Sequence, residues 1–362
     1  MTEGSSTKQV LHVVGARPNF MKLAPVYFGL DGLCEQAIVH TGQHYDQRMS
    51  GSFFQVLGLP EPHFNLGVGS GSHAEQTAKV MLGLDELFSR CRPEVVVVYG
   101  DVNSTMAGAL VASKRGIPCV HVEAGLRSGD RCMPEELNRL VTDQLSELLL
   151  THSREASSNL QREGVPAERI CFVGNVMIDT LKRLLPLARG RKVLSIPDRF
   201  ALVTLHRPSN VDEPAQLANL AKYLDELSER IPVVFPVHPR TRARLSEMRF
   251  VAASSRLFLL EPMDYLDFIG LQDRATVVIT DSGGVQEETT FLGTPCLTLR
   301  TTTERPVTID VGTNTLVGDA PEALAPYVEQ VLGGTYKRGT VPELWDGLAG
   351  ERIAPLVVEC LQ

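Results

Sequence analysis

Short, almost wholly apolar runs rich in Val and Ile alternate along this chain with longer stretches in which apolar residues recur every three or four positions. VLHVVG (10–15), QAIVHT (36–41), EVVVVYG (94–100) and PCVHVEAG (118–125) are of the first kind, and HAEQTAKVMLGLDELF (73–88) is of the second. β-Branched side chains suit a pleated surface, and a helix buries only one stripe, so the pattern predicts strand, loop and helix in repetition. Strands apolar on both faces belong in a parallel sheet covered by helices on either side. LLLTHS (148–153) and RICFVGN (169–175) extend this series. A helix and a crossing segment are expected over 181–200. A second series then follows: ALVTLH (201–206), PVVFPVH (232–238), RLFLLEP (256–262), ATVVITD (275–281) and TPCLTLR (294–300). The expectation is an α/β chain of two Rossmann-like, doubly wound domains, residues 1–176 and 177–349. A C-terminal helix within 350–362 is expected to return to the first domain.

Composition narrows the function classes. The chain has 362 residues, enough for two buried cores. A net charge of -8 without a Lys/Arg cluster argues against broad nucleic-acid binding, which needs a basic face. Seven dispersed cysteines form no C-x-x-C and no zinc spacing with His, so they read as reduced, core-filling thiols. The segment MTEGSSTKQ is polar, and no apolar run approaches the ~20 residues of a membrane helix. A cytoplasmic enzyme with a small-molecule ligand is the expectation.

Ligands of open α/β sheets bind beyond the carboxyl ends of the strands, and the chemically suggestive residues fall there repeatedly. In VVGARPNFMKLAP (13–25), Gly15 permits a tight turn, Pro18 suits a first helical turn, and Arg17 and Lys22 flank a helix start that attracts anions. The turn is not G-x-G-x-x-G, so a nicotinamide site is poorly supported. Pro25 inside that helix predicts a kink. In YGDVNSTMAGAL (99–110), Asp101 follows an apolar strand directly; it also reads as a helix cap, with Ser104 and Thr105 available for the same role. In HVEAGLRSGDRCMPEELNRLVTD (121–143), Glu123 ends a strand, where a carboxylate is costly unless paired or used, and Glu135 and Glu136 open a helix. Asp101, Glu123 and Glu135 are expected to converge as acid/base groups.

The second series carries His206 and Arg207 in TLHRPSNVD (204–212), and His238-Pro239-Arg240 repeats the pattern after another strand. Two strand-end His/Arg pairs favour an anionic ligand. TDSGGVQEETTFLGTPCLTLRTTTERP (280–306) reads as strand, turn and helix. The amides of Gly283 and Gly284 suit phosphate oxygens, with the Ser282 hydroxyl beside them. Glu288 is placed to accept from ribose hydroxyls, and Arg305 either meets a diphosphate or remains a surface charge.

These motifs, in this order, resemble those of the non-hydrolysing UDP-N-acetylglucosamine 2-epimerases: GARPNFMK, YGDVNST, HVEAGLRSGDRCMPEELNR, VTLHR, TDSGGVQEE and TTERP, spanning roughly residues 11–310. The resemblance implies the glycosyltransferase-B arrangement, two Rossmann-like domains facing a cleft. It implies C2 epimerisation of UDP-N-acetylglucosamine to UDP-N-acetylmannosamine through a 2-acetamidoglucal, by a homodimer without metal, nicotinamide or other cofactor. By motif position the family's functional residues fall on Arg17, Lys22, Asp101, Glu123, Glu135, His206, Ser282 and Glu288. Ala16 and Asn19 depart from the usual G-T-R-P-E motif, and PELWDGLAGER departs from P-[FY]-G-[DN]-G. Gln43 and His44 match part of a second, activating substrate site of many bacterial members, while Glu75 stands where those members have an arginine. A 2-epimerase of a related diacetamido-uronic UDP-sugar and a glycosyltransferase of the same fold are the alternatives; no acceptor surface or membrane-facing patch is evident for the latter.

Overall fold

A computed structural model describes residues 9–42, 53–191 and 196–361. Its strands form two sheets, and every strand pairing in them is parallel. The first sheet contains β1 (Gln9–Val14), β2 (Glu35–His40), β3 (Phe64–Asn65), β4 (Val95–Tyr99), β5 (Cys119–Ala124), β6 (Leu148–Thr151) and β7 (Ile170–Phe172). Its order is β3-β2-β1-β4-β5-β6-β7. The second contains β8 (Ala201–Thr204), β9 (Val233–Pro236), β10 (Leu257–Leu260), β11 (Val277–Thr280), β12 (Cys296–Thr298) and β13 (Asn314–Leu316), in the order β10-β9-β8-β11-β12-β13. Every strand anticipated from the apolar runs is present. β3 and β13, of two and three residues, are additional; runs that short leave no periodic signal.

The order reverses between β1 and β4 in the first sheet and between β8 and β11 in the second. Connections there leave towards opposite sides and open a crevice at the carboxyl edge.

The described chain divides into two compact units. One runs to Thr180 and resumes at Glu343; the other is Leu181–Pro342. In the first unit, Val95 to Val98 of β4 are wholly buried, which the four-valine run dictates. Each such side chain contributes roughly 2 kcal/mol of burial, so one aspartate in this strand would unseat the sheet. In the second unit, helix Pro214–Ser228 lays Leu217, Leu220, Leu224 and Leu227 on one face of its sheet, and helix Tyr265–Arg274 covers the other with Leu271.

The C-terminal helix Ala349–Glu359 packs on helix Arg17–Gly29 of the first unit. Contact is backbone to backbone: a Cβ on Gly350 would stand 2.3 Å from the Pro25 carbonyl oxygen. Helix Arg17–Gly29 runs through Pro25. Proline has no N–H to offer the Met21 carbonyl four residues earlier; the Thr180 hydroxyl donates to it instead, at 2.6 Å. The divergent loop before the last helix is anchored by Trp345, buried, whose indole N–H donates to the His152 carbonyl at 2.9 Å.

Candidate active site

In the first unit the site begins at the turn after β1. Asn19 is buried one turn into the following helix; its side-chain oxygen accepts from the amides of Gly15 and Ala16, each at 3.1 Å. Its Nδ2 donates to the Tyr99 carbonyl at the end of β4, at 2.8 Å. The carboxamide thus ties the two switch-point strands together, and a carboxylate at this position has no proton to donate to Tyr99.

After β4, helix Asn103–Lys114 starts at Val102 without a side-chain cap, so Asp101 does not act as one. Ser104 and Thr105 do not cap either: their hydroxyls pair with Thr41 Oγ1 and the Tyr99 carbonyl, each at 2.7 Å. The Asp101 carboxylate accepts from Arg139 Nη2 at 2.7 Å. The same nitrogen donates to Glu123 Oε1 at 2.8 Å, and Arg139 Nη1 donates to the Glu123 carbonyl at 2.7 Å. Lys22 Nζ reaches Glu123 Oε1 from the other side at 2.7 Å. Glu123 sits at a register shift in β5 with φ of 71°, a left-handed conformation costing a non-glycine residue about 1–2 kcal/mol. The bulge turns the Glu123 side chain toward the two cations. Arg139 is 2% exposed. A guanidinium that deep persists only fully paired, and here it joins two carboxylates.

Helix Pro134–Leu145 supplies Arg139 from a buried polar stripe of Glu136, Asn138, Arg139, Thr142 and Asp143. Asn138 donates to the Asp101 carbonyl at 2.8 Å. Glu136, not Glu135, is the buried member of the adjacent glutamates. It accepts from the Ser128 amide and hydroxyl at 2.8 and 3.0 Å and from the Gly129 amide at 3.2 Å, closing the loop before the helix. Glu135 is exposed at that helix start. The structure therefore brings Asp101, Glu123 and Lys22 together and leaves Glu135 outside their ion-pair network. Arg17 is exposed at the first position of its helix.

In the second unit Asp281, wholly buried after β11, braces the turn after β8. Its carboxylate accepts from the amides of His206 and Arg207 at 3.0 and 2.9 Å and from Asn210 Nδ2 at 3.0 Å. The His206 ring is 3.2 Å from the same carboxylate by Nδ1 and faces His238 across 6.1 Å between ring centres. His238 caps helix Pro239–Glu247 through its ring, accepting from the Arg240 amide at 3.3 Å. Ser282 holds the N-cap of helix Gly283–Leu292, yet its hydroxyl makes no capping bond. The helix start, with amides and positive dipole end, therefore remains suited to an anion.

Arg305 is neither a surface charge nor openly presented. It is buried, with Nε 2.9 Å from Glu287 Oε1 and Nη1 2.6 Å from Glu304 Oε1. A Cβ on Gly283 would lie 2.3 Å from Arg305 Nη1, so only glycine admits this guanidinium beneath the helix start. Arg300 holds the other Glu304 oxygen at 2.9 Å, and Arg207 is 3.8 Å from Glu304. Burial pushes the Glu304 carboxyl up, but Arg305, Arg300 and Arg207 outweigh it and hold the group well below the carboxylate range. Glu288 is buried, accepting from Tyr265 Oη and Gln272 Nε2, each at 2.6 Å. Burial raises its carboxyl to about 7 despite those two donors.

Arg139, Asn138, Asp281, Arg300 and Glu304 escaped the sequence reading. The signal for the first two was a polar stripe where an amphipathic helix ordinarily turns an apolar face inward. Gln43 and His44 lie outside the described residues. Glu75 accepts from the amide and hydroxyl of Ser72, at 3.0 and 3.1 Å, as the capping box of helix His73–Cys91. Among the described residues, no group of three or more His, Cys, Asp or Glu is placed to hold a metal ion, and no helix is long and apolar enough to cross a membrane.

Residues 31–358 match the family model for UDP-N-acetylglucosamine 2-epimerase. The chain is 42% identical over 358 residues to the UDP-N-acetylglucosamine 2-epimerase of Methanocaldococcus jannaschii, covering 95% of this chain and 97% of that protein. It is 40% identical over 332 residues to a Pseudomonas aeruginosa UDP-2,3-diacetamido-2,3-dideoxy-D-glucuronate 2-epimerase, covering 90% and 93%. The crystal structure of the M. jannaschii UDP-GlcNAc 2-epimerase in complex with UDP-GlcNAc and UDP superposes with a TM-score of 0.89 at 40% identity, covering 97% of this chain and 99% of that one. By likeness of sequence over nearly its whole length, and by fold, the chain belongs to the UDP-N-acetylglucosamine 2-epimerase family.

Proposed function

We propose that this chain interconverts UDP-N-acetylglucosamine and UDP-N-acetylmannosamine by eliminating UDP to a 2-acetamidoglucal and adding it back. The observation that carries this reading is the pair of carboxylates, Asp101 and Glu123, joined by one buried guanidinium at the carboxyl edge of the first sheet. No carbonyl adjoins C2 in the ring, so its hydrogen is not acidic. Cleavage of the C1–O bond, with both electrons leaving on UDP, makes C1 cation-like; the C2–H bond then yields its electrons to a C1=C2 double bond and its proton to a base. Protonation of C2 on the opposite face and return of UDP to C1 complete the inversion, and no co-reactant is consumed. The route needs acid/base groups near both ring faces and an anion clamp for the departed diphosphate.

Asp101, Glu123 and Glu135 are assigned the proton transfers. Glu135 joins them from its exposed position when the sugar is bound. The second unit holds the nucleotide: Ser282 and the amides of Gly283 and Gly284 take the diphosphate with Arg207 and His206, and Glu288 takes the ribose. His238 lies beside His206, and Arg305 supports the clamp from beneath. His206 also shares a proton with the leaving phosphate. Incubation with UDP-N-acetylglucosamine in deuterated water tests the reading: proton NMR is expected to show a manno product deuterated at C2. Sugar without solvent deuterium, or accumulation of free UDP and free sugar, refutes it.

The 40% identical Pseudomonas relative, named for a diacetamido-glucuronate sugar, supports a second reading with the same chemistry on a C6 carboxylate sugar. The two UDP-sugars compared side by side by kcat/KM separate the readings. We further propose a homodimer: Leu137 and Val141, one turn apart on helix Pro134–Leu145, are exposed apolar side chains suited to a second copy. Light scattering giving the mass of a single chain refutes it. The seven free cysteines support a reducing, cytoplasmic setting.

A further inference from the structure

Next to the carboxylate pair lies another buried ion pair, formed by residues with no part in the proton transfers assigned above. His121, two residues before Glu123 on β5, and Asp143, four residues beyond Arg139 on helix Pro134–Leu145, are both wholly buried. His121 Nδ1 is 2.6 Å from Asp143 Oδ1, and His121 Nε2 is 2.8 Å from the Gly100 carbonyl oxygen. The other oxygen of Asp143 accepts from the Gly125 amide at 3.2 Å and lies 2.7 Å from Arg127. A backbone carbonyl only accepts, and an ionised carboxylate only accepts. Both ring nitrogens therefore have to donate, which requires the doubly protonated imidazolium. The other oxygen of Asp143 takes two donors, the Arg127 guanidinium and the Gly125 amide, as an ionised carboxylate does.

We propose that His121 is a positioning residue for the reaction at Asp101 and Glu123: a protonated ring, locked by Asp143, that fixes both backbone segments carrying those carboxylates. This rests on the acid/base assignment of Asp101 and Glu123. Gly100, whose carbonyl takes the ring, immediately precedes Asp101. Glu123, in its left-handed conformation, is flanked two residues earlier by His121 and two residues later by Gly125, and both flanks are bound to one carboxylate. A strained residue persists only where its surroundings over-determine it, and this clasp does so from both sides. Arg127 extends the clasp, its guanidinium chelated by Glu163 at 2.8 and 2.7 Å. The charged groups around the pair are Arg127, bound to Asp143, and Glu163, bound to Arg127, with Glu123 and Arg139 along the same two elements and Asp101 next to Gly100.

The test uses the full-length enzyme labelled with 15N-histidine. At about pH 8, where a free imidazole is neutral, His121 is expected to show both ring N–H protons and imidazolium nitrogen shifts. Its signal is assigned by loss in His121→Gln, or by displacement in Asp143→Asn if the first variant does not fold. A single neutral tautomer overturns the proposal. In Asp143→Asn the amide NH2 faces Nδ1, so the ring keeps its bond to Gly100 but loses its charge and half of its clasp. That variant is expected to lose about 10–10²-fold in kcat and in C2 hydrogen exchange, the scale of a small misplacement, with KM changed by less than about threefold. Unchanged kcat, or a loss confined to KM, also overturns it. If the wild-type chain does not epimerise the sugar at all, the acid/base reading has failed, while the NMR result still decides the state of the ring.

Discussion

Replacing Asp281 isolates what holds the turn after β8 in place. Its Oδ2 takes three donors: the His206 amide at 3.0 Å, the Arg207 amide at 2.9 Å and Asn210 Nδ2 at 3.0 Å. Asp281→Ala removes the acceptor for all three. A buried donor left unpaired costs about 1–3 kcal/mol, so about 3–9 kcal/mol is the ceiling for the set. Two facts reduce it. Asn210 keeps the Leu299 carbonyl at 3.1 Å, and the exposed His206 side chain leaves a route for water to its amide. A loss near ~3 kcal/mol is expected for Ala. Asp281→Asn is different: its oxygen can occupy the Oδ2 position and keep all three donors, while its NH2 meets His206 Nδ1, which then accepts. The two side chains match in size, so about 1 kcal/mol is expected for the lost charge. Urea unfolding measures stability, and calorimetric titration measures UDP binding. Asp281→Ala is expected to bind UDP at least about tenfold more weakly, equivalent to 1.4 kcal/mol, with Asp281→Asn close to wild type. If both variants lose the same amount, charge rather than hydrogen-bond geometry organises the turn, and the reasoning is wrong.

Three further outcomes are expected. Glu123→Gln should lose about 10²–10⁴-fold in turnover while UDP binding survives; abolished UDP binding in a folded variant contradicts its role. Asp179, whose carboxylate accepts from the Gly350 amide at 2.8 Å, is raised to about 6 by burial, against the amides of Gly350 and Ala349. A raised carboxyl binds protons in the folded state between about pH 4 and 6, so this group costs stability above that window, by roughly 2–3 kcal/mol, and nothing below it. Asp179→Asn should flatten the fall in stability across that range, and equal slopes in wild type and variant would refute the assignment. For Glu288, raised to about 7, the ionised form is the stronger acceptor for ribose hydroxyls. UDP affinity should weaken as pH falls from about 8 to 6, beyond the change seen in Glu288→Gln, and identical profiles would remove Glu288 from the ribose site.

The alternation of apolar runs made the strands legible because β-branched residues without charge have few other places to go. Asp101 and Glu123 were legible for the complementary reason: a carboxylate at the end of an apolar strand is expensive, and its position alone asks for a partner. The partner, Arg139, was not legible. It follows Glu136 by three residues, and only the inward face of helix Pro134–Leu145 reveals that both belong to one buried stripe. The same ambiguity separates Glu135 from Glu136. Adjacent helical residues point about 100° apart, and the sequence does not say which of them faces in. In the sequence Asp281 stands only as the last residue of the apolar run ATVVITD. Its role as a brace depends on the turn after β8, 74 residues away in sequence from the nearer amide. Arg305 read as either a diphosphate contact or a surface charge, and only the fold places Glu287 and Glu304 around it.

Each unit closes its switch point with one buried polar side chain, and the chemistry of that side chain sets what the crevice presents. In the first unit the brace is the neutral Asn19, which both donates and accepts across β1 and β4. Being uncharged, it leaves the charges of Lys22 and Arg139 to Glu123 and Asp101, so the crevice carries carboxylates under cationic control. In the second unit the brace is the anion Asp281, satisfied almost wholly by backbone amides and Asn210. It consumes no arginine. Arg207 therefore stays half-buried at the crevice, with the uncapped start of helix Gly283–Leu292 beside it on the carboxyl edge. On the function proposed above, an asparagine in one unit and an aspartate in the other would divide the labour, with proton chemistry at the first crevice and diphosphate binding at the second. Exchanging the braces tests that division. Asn19→Asp places a second acceptor against the Tyr99 carbonyl, where Nδ2 now donates at 2.8 Å. The repulsion is expected to open the turn after β1 and to lower turnover while leaving UDP affinity unchanged, whereas a selective loss of UDP affinity would show that the crevices are not specialised in this way.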